Sequence, residues 1–154
     1  MIKKIALSAL LILFLNGCNY QPIYSSKNVK FSIGEFQSTG NNKMNKLLIK
    51  KLEIYKNDSL DVKKYNLNID SKVNKNISAK DKKGNPTTFT LKIAFKIEIE
   101  NSFGEKKLTE FEEYTTYENN DNKFELKKYE NSIKKNMIES INENIILYLQ
   151  NLNY

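Results

Sequence analysis

The sequence predicts a single α+β domain in the order β-α-β-β-β-α, with two helices packed on one face of a four-stranded mixed sheet. Three observations predict it. A chain of 154 residues is the length of one ordinary domain. Residues 88–100 alternate polar and apolar side chains at strict period two, which marks a strand with one dry and one wet face. From Phe124 to about Leu152 the apolar spacing changes to three and four, the period of a helix.

The elements follow in order. Val29, Phe31 and Ile33 alternate with Lys30 and Ser32, giving a first strand that ends between Gly34 and Phe36. Residues 38–42, Ser-Thr-Gly-Asn-Asn, read as a turn that supplies a helix N-cap. The next helix gathers Met44, Leu47, Leu48, Leu52 and Tyr55 on one face, with Lys43, Lys46, Lys50 and Glu53 off it, and stops near Asn57. A second strand sets Tyr65, Leu67, Ile69 and Val73 against Asn66, Asn68, Asp70 and Lys72, before a polar turn or hairpin loop over residues 78–86. The third strand places Phe89, Leu91, Ile93, Phe95, Ile97 and Ile99 on its dry face. Residues 101–104 turn the chain into a fourth strand over residues 106–117. Its apolar set, Leu108, Phe111, Tyr114 and Tyr117, is less regular and predicts a bulge or an edge position. In the last helix Leu126, Tyr129, Ile133, Met137, Ile141, Ile145, Tyr148, Leu149 and Leu152 form the stripe. No Gly or Pro interrupts it, so one helix of about 28 residues would run about 42 Å. If the first two strands are neighbours they are parallel, with the first helix as a right-handed crossover.

The N-terminus carries a different signal. Lys3 and Lys4 precede an apolar run from Ile5 to Leu15, broken only by Ser8. Eleven residues are too few for a spanning helix, which needs about 20, and the pattern fits a cleaved export signal. Leu15-Asn16-Gly17-Cys18 resembles the bacterial lipobox, with Asn16 departing from the usual small or apolar residue. The resemblance implies a diacylglycerol on Cys18, cleavage before it, acylation of the new amino terminus, and an outer-membrane destination because Asn19 is not Asp. Residues 1–17 are then a lipoprotein signal peptide, 18–28 a lipidated tether, and 29–154 the domain. Removing 17 residues from 154 leaves 137, and losing Lys3 and Lys4 lowers the net charge from +7 to +5.

Composition excludes several chemistries. All 25 basic residues are Lys, and the chain has no His, Arg or Trp and one Cys. There is therefore no imidazole base, no Ser–His or Cys–His pair, no His-ligated metal and no guanidinium fork. Asn, Ile, Tyr and Lys are all encodable by AT-rich codons, so basicity alone is not evidence of a nucleic-acid partner. Export removes nucleic acid from consideration. Glu98 and Glu100 share a strand face and Glu110, Glu112 and Glu113 cluster on the next strand. They read as a solvated face balanced by Lys92, Lys96, Lys106 and Lys107 rather than as a carboxylate pair for glycoside chemistry. No enzymatic activity, metal or cofactor is expected beyond the covalent lipid on Cys18. Lys80, Lys82 and Lys83 before Gly84 form a basic hairpin tip, and Lys123, Lys127 and Lys128 a second patch at the start of the last helix. Each reads either as ordinary solvated surface or as a contact for an anionic head group, the second patch aided by free helix amides.

A signal ending in Gly17-Cys18, followed by Tyr20-Gln21-Pro22-Ile23-Tyr24, resembles the start of LPS-assembly lipoproteins of the LptE family, with Asn19 in place of Gly and Tyr20 in place of Phe. The element order is similar over essentially the whole mature chain. The resemblance implies a periplasm-facing outer-membrane lipoprotein that plugs an LptD-type β-barrel, assists its assembly and binds lipopolysaccharide on its way to the outer leaflet. It assigns lipopolysaccharide contact to Lys82 and Lys83, and more loosely to Lys123. The wet face of the sheet suits the water-filled lumen of a large barrel. The competing expectations are an unrelated periplasm-facing adaptor or binding lipoprotein, and a lipid-anchored hydrolase using the strand carboxylates.

Overall fold

Alternating side chains make the four strands, and their shared dry face decides where the helices go. In the computed structural model, which describes residues 29–57 and 62–152, the order is β1 (Phe31–Gly40), α1 (Asn42–Leu52), a 3-10 turn (Glu53–Tyr55), β2 (Lys63–Lys80), β3 (Pro86–Asn101), β4 (Lys106–Glu118) and α2 (Lys123–Asn151). The strands lie side by side in chain order. β1 pairs β2 in parallel across the α1 crossover, while β2–β3 and β3–β4 are antiparallel hairpins. Both helices lie on one face, α1 against β1 and β2, α2 against β4 and β3, and they touch each other.

The core is the layer between them. Tyr65, Leu67 and Ile69 of β2 and Leu91, Ile93, Phe95, Ile97 and Ile99 of β3 are buried against Met44, Leu48 and Leu52 of α1 and Ile138, Ile141, Ile145 and Leu149 of α2. Each such side chain contributes about 1.5–3 kcal/mol on burial. The β1–α1 corner is held by a buried polar network that the apolar pattern did not reveal. The Asn45 amide donates to the Thr39 carbonyl at 2.6 Å, the Ser71 hydroxyl donates to Asn45 Oδ1 at 2.5 Å, and Asn41 N donates to Ser71 O at 3.1 Å.

Three expectations need correction. β1 does not stop near Phe36 but continues to Gly40, and the register shift falls between Ile33 and Phe36 rather than in β4. The loop expected over residues 78–86 shrinks to a turn at 81–85. Residues 78–80 pair with β3 instead, with shifts around Ala79 that absorb the poor alternation. β4 takes the edge position that was one of the two alternatives expected of it, and it pairs with β3 without a bulge. Its period-three residues divide between the faces. Phe111 lies opposite Phe95 and Tyr117 opposite Phe89 on the dry side, whereas Leu108 and Tyr114 are 69% and 72% exposed on the wet side. The predicted α2 stripe is also uneven, since Tyr129 is 56% exposed and continuous burial begins only at Met137.

Candidate functional site

The β2–β3 hairpin ends in Asp81-Lys82-Lys83-Gly84-Asn85, and its own side chains build the turn. Asp81 Oδ1 accepts the amides of Lys83 and Asn85, each at 2.8 Å, and Asp81 Oδ2 accepts the Asn85 side-chain amide at 2.9 Å. Gly84 N donates to Asp81 O at 3.0 Å with Gly84 at φ +86°, the left-handed position that this kind of hairpin loop needs. The Asn85 side chain, then the Asn85, Lys83 and Gly84 backbone amides, hold the Asp81 carboxyl below its usual pKa. Lys82 and Lys83 are exposed, and among the described residues no ion pair or side-chain hydrogen bond ties them down. The tip is a hydrogen-bonded turn displaying two exposed ammonium groups.

Lys123 comes close to this turn. Asp81, Asn85, Pro86, Glu118, Asp121 and Lys123 line one open depression between the hairpin tip and the start of α2. The structure thus brings together the two regions that the sequence marked separately. Its charge is the opposite of a simple anion cradle, because three carboxylates face one ammonium. Lys123 is itself occupied, donating to Asn119 Oδ1 and Asn120 O at 3.1 Å each. The free helix amides expected here are not all free. The Asn122 side chain caps α2 by accepting from Phe124 N at 3.1 Å and Glu125 N at 3.2 Å. Lys82 and Lys83 are therefore open cations at this end, as are the exposed Lys80 of β2 and Lys127 and Lys128 of α2.

A second feature joins the hairpin to α2. Lys75 lies on the dry side of β2, beyond the apolar run, and pairs with Glu130 of α2 while its Nζ sits 3.9 Å from the Phe89 ring centroid. Tyr117 donates its hydroxyl to Glu130 Oε1 at 2.7 Å. Burial raises the Glu130 pKa, but the hydrogen bonds from Lys75 and Tyr117 outweigh it and the net shift is down. Burial, then Glu130, pushes the Tyr117 phenol well up. These groups form a clamp between helix and hairpin.

The strand carboxylates are solvated pairs. Lys92 meets Glu112 at 2.6 Å, and Lys106 meets Glu98 at 2.9 Å and Glu100 at 3.7 Å. Lys107 does not join them but lies over the Tyr148 ring on the helix side, and Glu113 turns the same way to accept from Ser140 at 2.6 Å. The expected cluster of Glu110, Glu112 and Glu113 is thus split between two faces. Among the described residues no group of three His, Cys, Asp or Glu is placed to hold a metal ion, and no helix is long and apolar enough to cross a membrane. Cys18 lies outside the described residues.

No protein-family model matches the sequence, and no curated protein does either. Solved structures do. The chain is similar to lipoprotein B from Nitrosomonas europaea, with a TM-score of 0.60 at 12% identity over 79% of this chain and 84% of that one. It is also similar to a minor lipoprotein from Acinetobacter baumannii, with a TM-score of 0.57 at 13% identity over 79% and 91%. This fold is one that bacterial lipoproteins use. Rare lipoprotein B from Shewanella oneidensis shares it as well, with a TM-score of 0.52 at 13% identity over 74% and 91%. The sequence singled out Lys82, Lys83 and Lys123 at this end but not Asp81 and Asn85, which build the turn, nor the Lys75–Glu130–Tyr117 clamp. An Asx residue three positions before a Gly was the available signal for the turn. The clamp had none, because Lys75 occupies an apolar position in an otherwise polar segment.

Proposed function

We propose that this chain is an outer-membrane lipoprotein, anchored by acyl chains on Cys18, that partners and plugs an LptD-type β-barrel, assists its assembly and contacts lipopolysaccharide during delivery to the outer leaflet. The observation that carries the reading is the lipoprotein fold itself, met in a chain whose Leu15-Asn16-Gly17-Cys18 segment independently resembles a lipobox. The role is one of binding and scaffolding, without catalysis. Lys82 and Lys83 supply the open positive charge for anionic head groups, and Lys123, already hydrogen-bonded, contributes less. The charged wet face of the sheet suits a water-filled lumen.

The test is purification of the chain from detergent-solubilised outer membranes, where a large β-barrel should accompany it near one to one. Recovery without a barrel would favour the adaptor reading. In the same preparation, Lys82→Glu with Lys83→Glu should weaken lipopolysaccharide binding several-fold while the melting curve stays put, because both side chains are exposed. Unchanged binding would remove the hairpin tip from the site.

A further inference from the structure

β1 fills only half of its place in the sheet. It pairs with residues 63–71 of β2 and leaves at Gly40, while β2 runs on to Lys80. Among the described residues no other strand takes up the vacant half. α1 does not cover it either. That helix starts over Ser71, whose hydroxyl donates to Asn45 Oδ1, and the chain runs back to Phe31, whose ring lies 5.6 Å from that of Tyr55. Residues 72–77 therefore form a free edge about 20 Å long, up to the irregularity at Ala79.

Which backbone groups face this edge follows from Ser71. Asn41 N donates to Ser71 O at 3.1 Å, so the Ser71 carbonyl points away from β3. In an antiparallel ladder one residue sends both of its polar groups to one side, and the next sends both to the other. The β2–β3 ladder is regular from Tyr65 to Ile77. Val73, Lys75 and Ile77 thus aim three N–H and three C=O groups into the gap, while Asn74 and Asn76 direct theirs to β3. The side chains of the same three residues lie on the dry face, where Val73 is half-buried and Ile77 is 49% exposed. An open ladder beside exposed β-branched side chains is a template for one more strand.

Proteins guard such edges with inward-facing charge. Lys75 is that guard here, and it is neutralised, because Glu130 pairs with it and the Phe89 ring lies beneath its ammonium. The charge that remains selects what can dock. Lys72 and Lys80 of β2 and Lys82 and Lys83 of the tip are exposed, with no ion pair among the described residues. Lys43 joins them from a first turn of α1 that carries no acidic residue. These five lysines face two carboxylates, Asp70, which accepts the Thr39 hydroxyl at 3.2 Å, and Asp81, which is enclosed in its turn. Glu118, Asp121 and Glu125 lie across β3 from the edge, on β4 and at the start of α2, with Lys123, Lys127 and Lys128 beside them. A second copy is the wrong occupant, because pairing two such edges would bring lysines together. An acyl chain has nothing to offer six backbone polar groups. An acidic peptide backbone matches both the ladder and the charge.

We propose that residues 72–77 of β2 accept an extended segment of a partner protein as an added strand. The segment alternates apolar side chains, which pack beside Val73 and Ile77, with acidic ones, which meet the lysines. It completes the column that β1 leaves half empty. Neither the acyl anchor nor the barrel is needed for it.

The test is amide exchange, read by NMR on the full chain in detergent micelles. In the chain alone the Val73, Lys75 and Ile77 amides should exchange freely while those of Asn74 and Asn76 are protected. The probe is an octapeptide alternating valine and glutamate, with a valine–lysine peptide of the same length as control. The expected result is a slowing of about tenfold or more at the three outward amides with the glutamate peptide, and none with the lysine peptide. Lys72→Glu with Lys80→Glu should reverse the preference between the two peptides. Ile77→Pro removes one outward donor and no bond to β3, so peptide protection at Val73 and Lys75 should fall several-fold while Asn74 and Asn76 stay protected. Ile77→Thr, which keeps the donor, should behave like the parent chain. No slowing with the glutamate peptide, or equal slowing with both peptides, overturns the proposal. Slowing that grows with protein concentration in the absence of peptide assigns the edge to a second copy, and slowing by lipopolysaccharide in place of the peptide assigns it to lipid. Either result also overturns it.

Discussion

Gly40 shows how much of this fold depends on one missing methyl group. It closes β1 at φ +81°, and a Cβ there would meet the Ser71 carbonyl oxygen at 2.3 Å and Ser71 N at 2.9 Å. Both are backbone atoms of the neighbouring strand, so neither can yield without moving the Asn41–Ser71–Asn45 network that turns the chain into α1. Gly84 has nearly the same dihedral, φ +86°, but nothing within 4 Å of its would-be Cβ. The pair separates strain from crowding. Gly84→Ala should cost about 1 kcal/mol from the left-handed backbone alone, whereas Gly40→Ala should cost roughly 3 kcal/mol or more. Urea midpoints of the two variants measure the difference, and equal losses would mean that the corner relaxes freely.

At the scale of elements, the sequence revealed structure wherever one face is covered and failed where cover runs out. The strict alternation of β3 and the heptad-like spacing of α2 after Met137 are legible because both report a continuous dry layer. Residues 74–80 continue β2 past that layer, so burial no longer selects their side chains and residues 78–80 look like part of the loop. The same absence of selection left Phe103 unmarked, since one aromatic residue in a turn carries no period. Asn45 and Ser71 were illegible for the opposite reason, being polar residues at core positions that are satisfied only by each other and by the β1–α1 corner. The first half of α2 depends on the clamp. Between Leu126 and Met137 it buries no residue fully, and Glu130, held by Lys75 and Tyr117, is its polar tie to the strands beside Ile133, which packs on the core, and Tyr129, whose ring meets that of Tyr117. The folded pKa of Glu130 is depressed, so its stabilising effect is complete above the unfolded value near 4.3 and fades as pH falls through the lower folded value. Glu130→Gln should therefore lose stability at neutral pH and show a shallower decline below about pH 4 than the parent chain. Amide exchange in residues 123–136 should quicken while residues 137–151 keep their protection. A uniform rise along the whole helix would show that α2 opens as one unit.

Across the whole molecule, the two hairpin turns give the domain a direction. One end offers open ammonium groups on a fixed turn, the other an exposed aromatic ring, that of Phe103, and the sheet between them keeps one charged face bare. A direction has use only if something sets it, and the proposed anchor, Cys18, is the natural reference. Cys18 is separated by a short stretch from a domain whose core begins at Phe31, and no buried side chain of that core precedes Phe31 among the described residues. Its loss should therefore leave folding alone and act on processing. Cys18→Ser removes the thiol that would receive diacylglycerol, and cleavage before residue 18 should fail with it. The cell should accumulate a precursor heavier by the 17-residue signal, with no acyl mass on any N-terminal peptide, while the melting temperature of the domain stays unchanged. Whole-protein mass spectrometry of the parent and the variant from the same membranes reads both effects at once. A Cys18→Ser chain trimmed at the same position as the parent would show that export uses another cleavage site, and would detach the anchor from this end of the molecule.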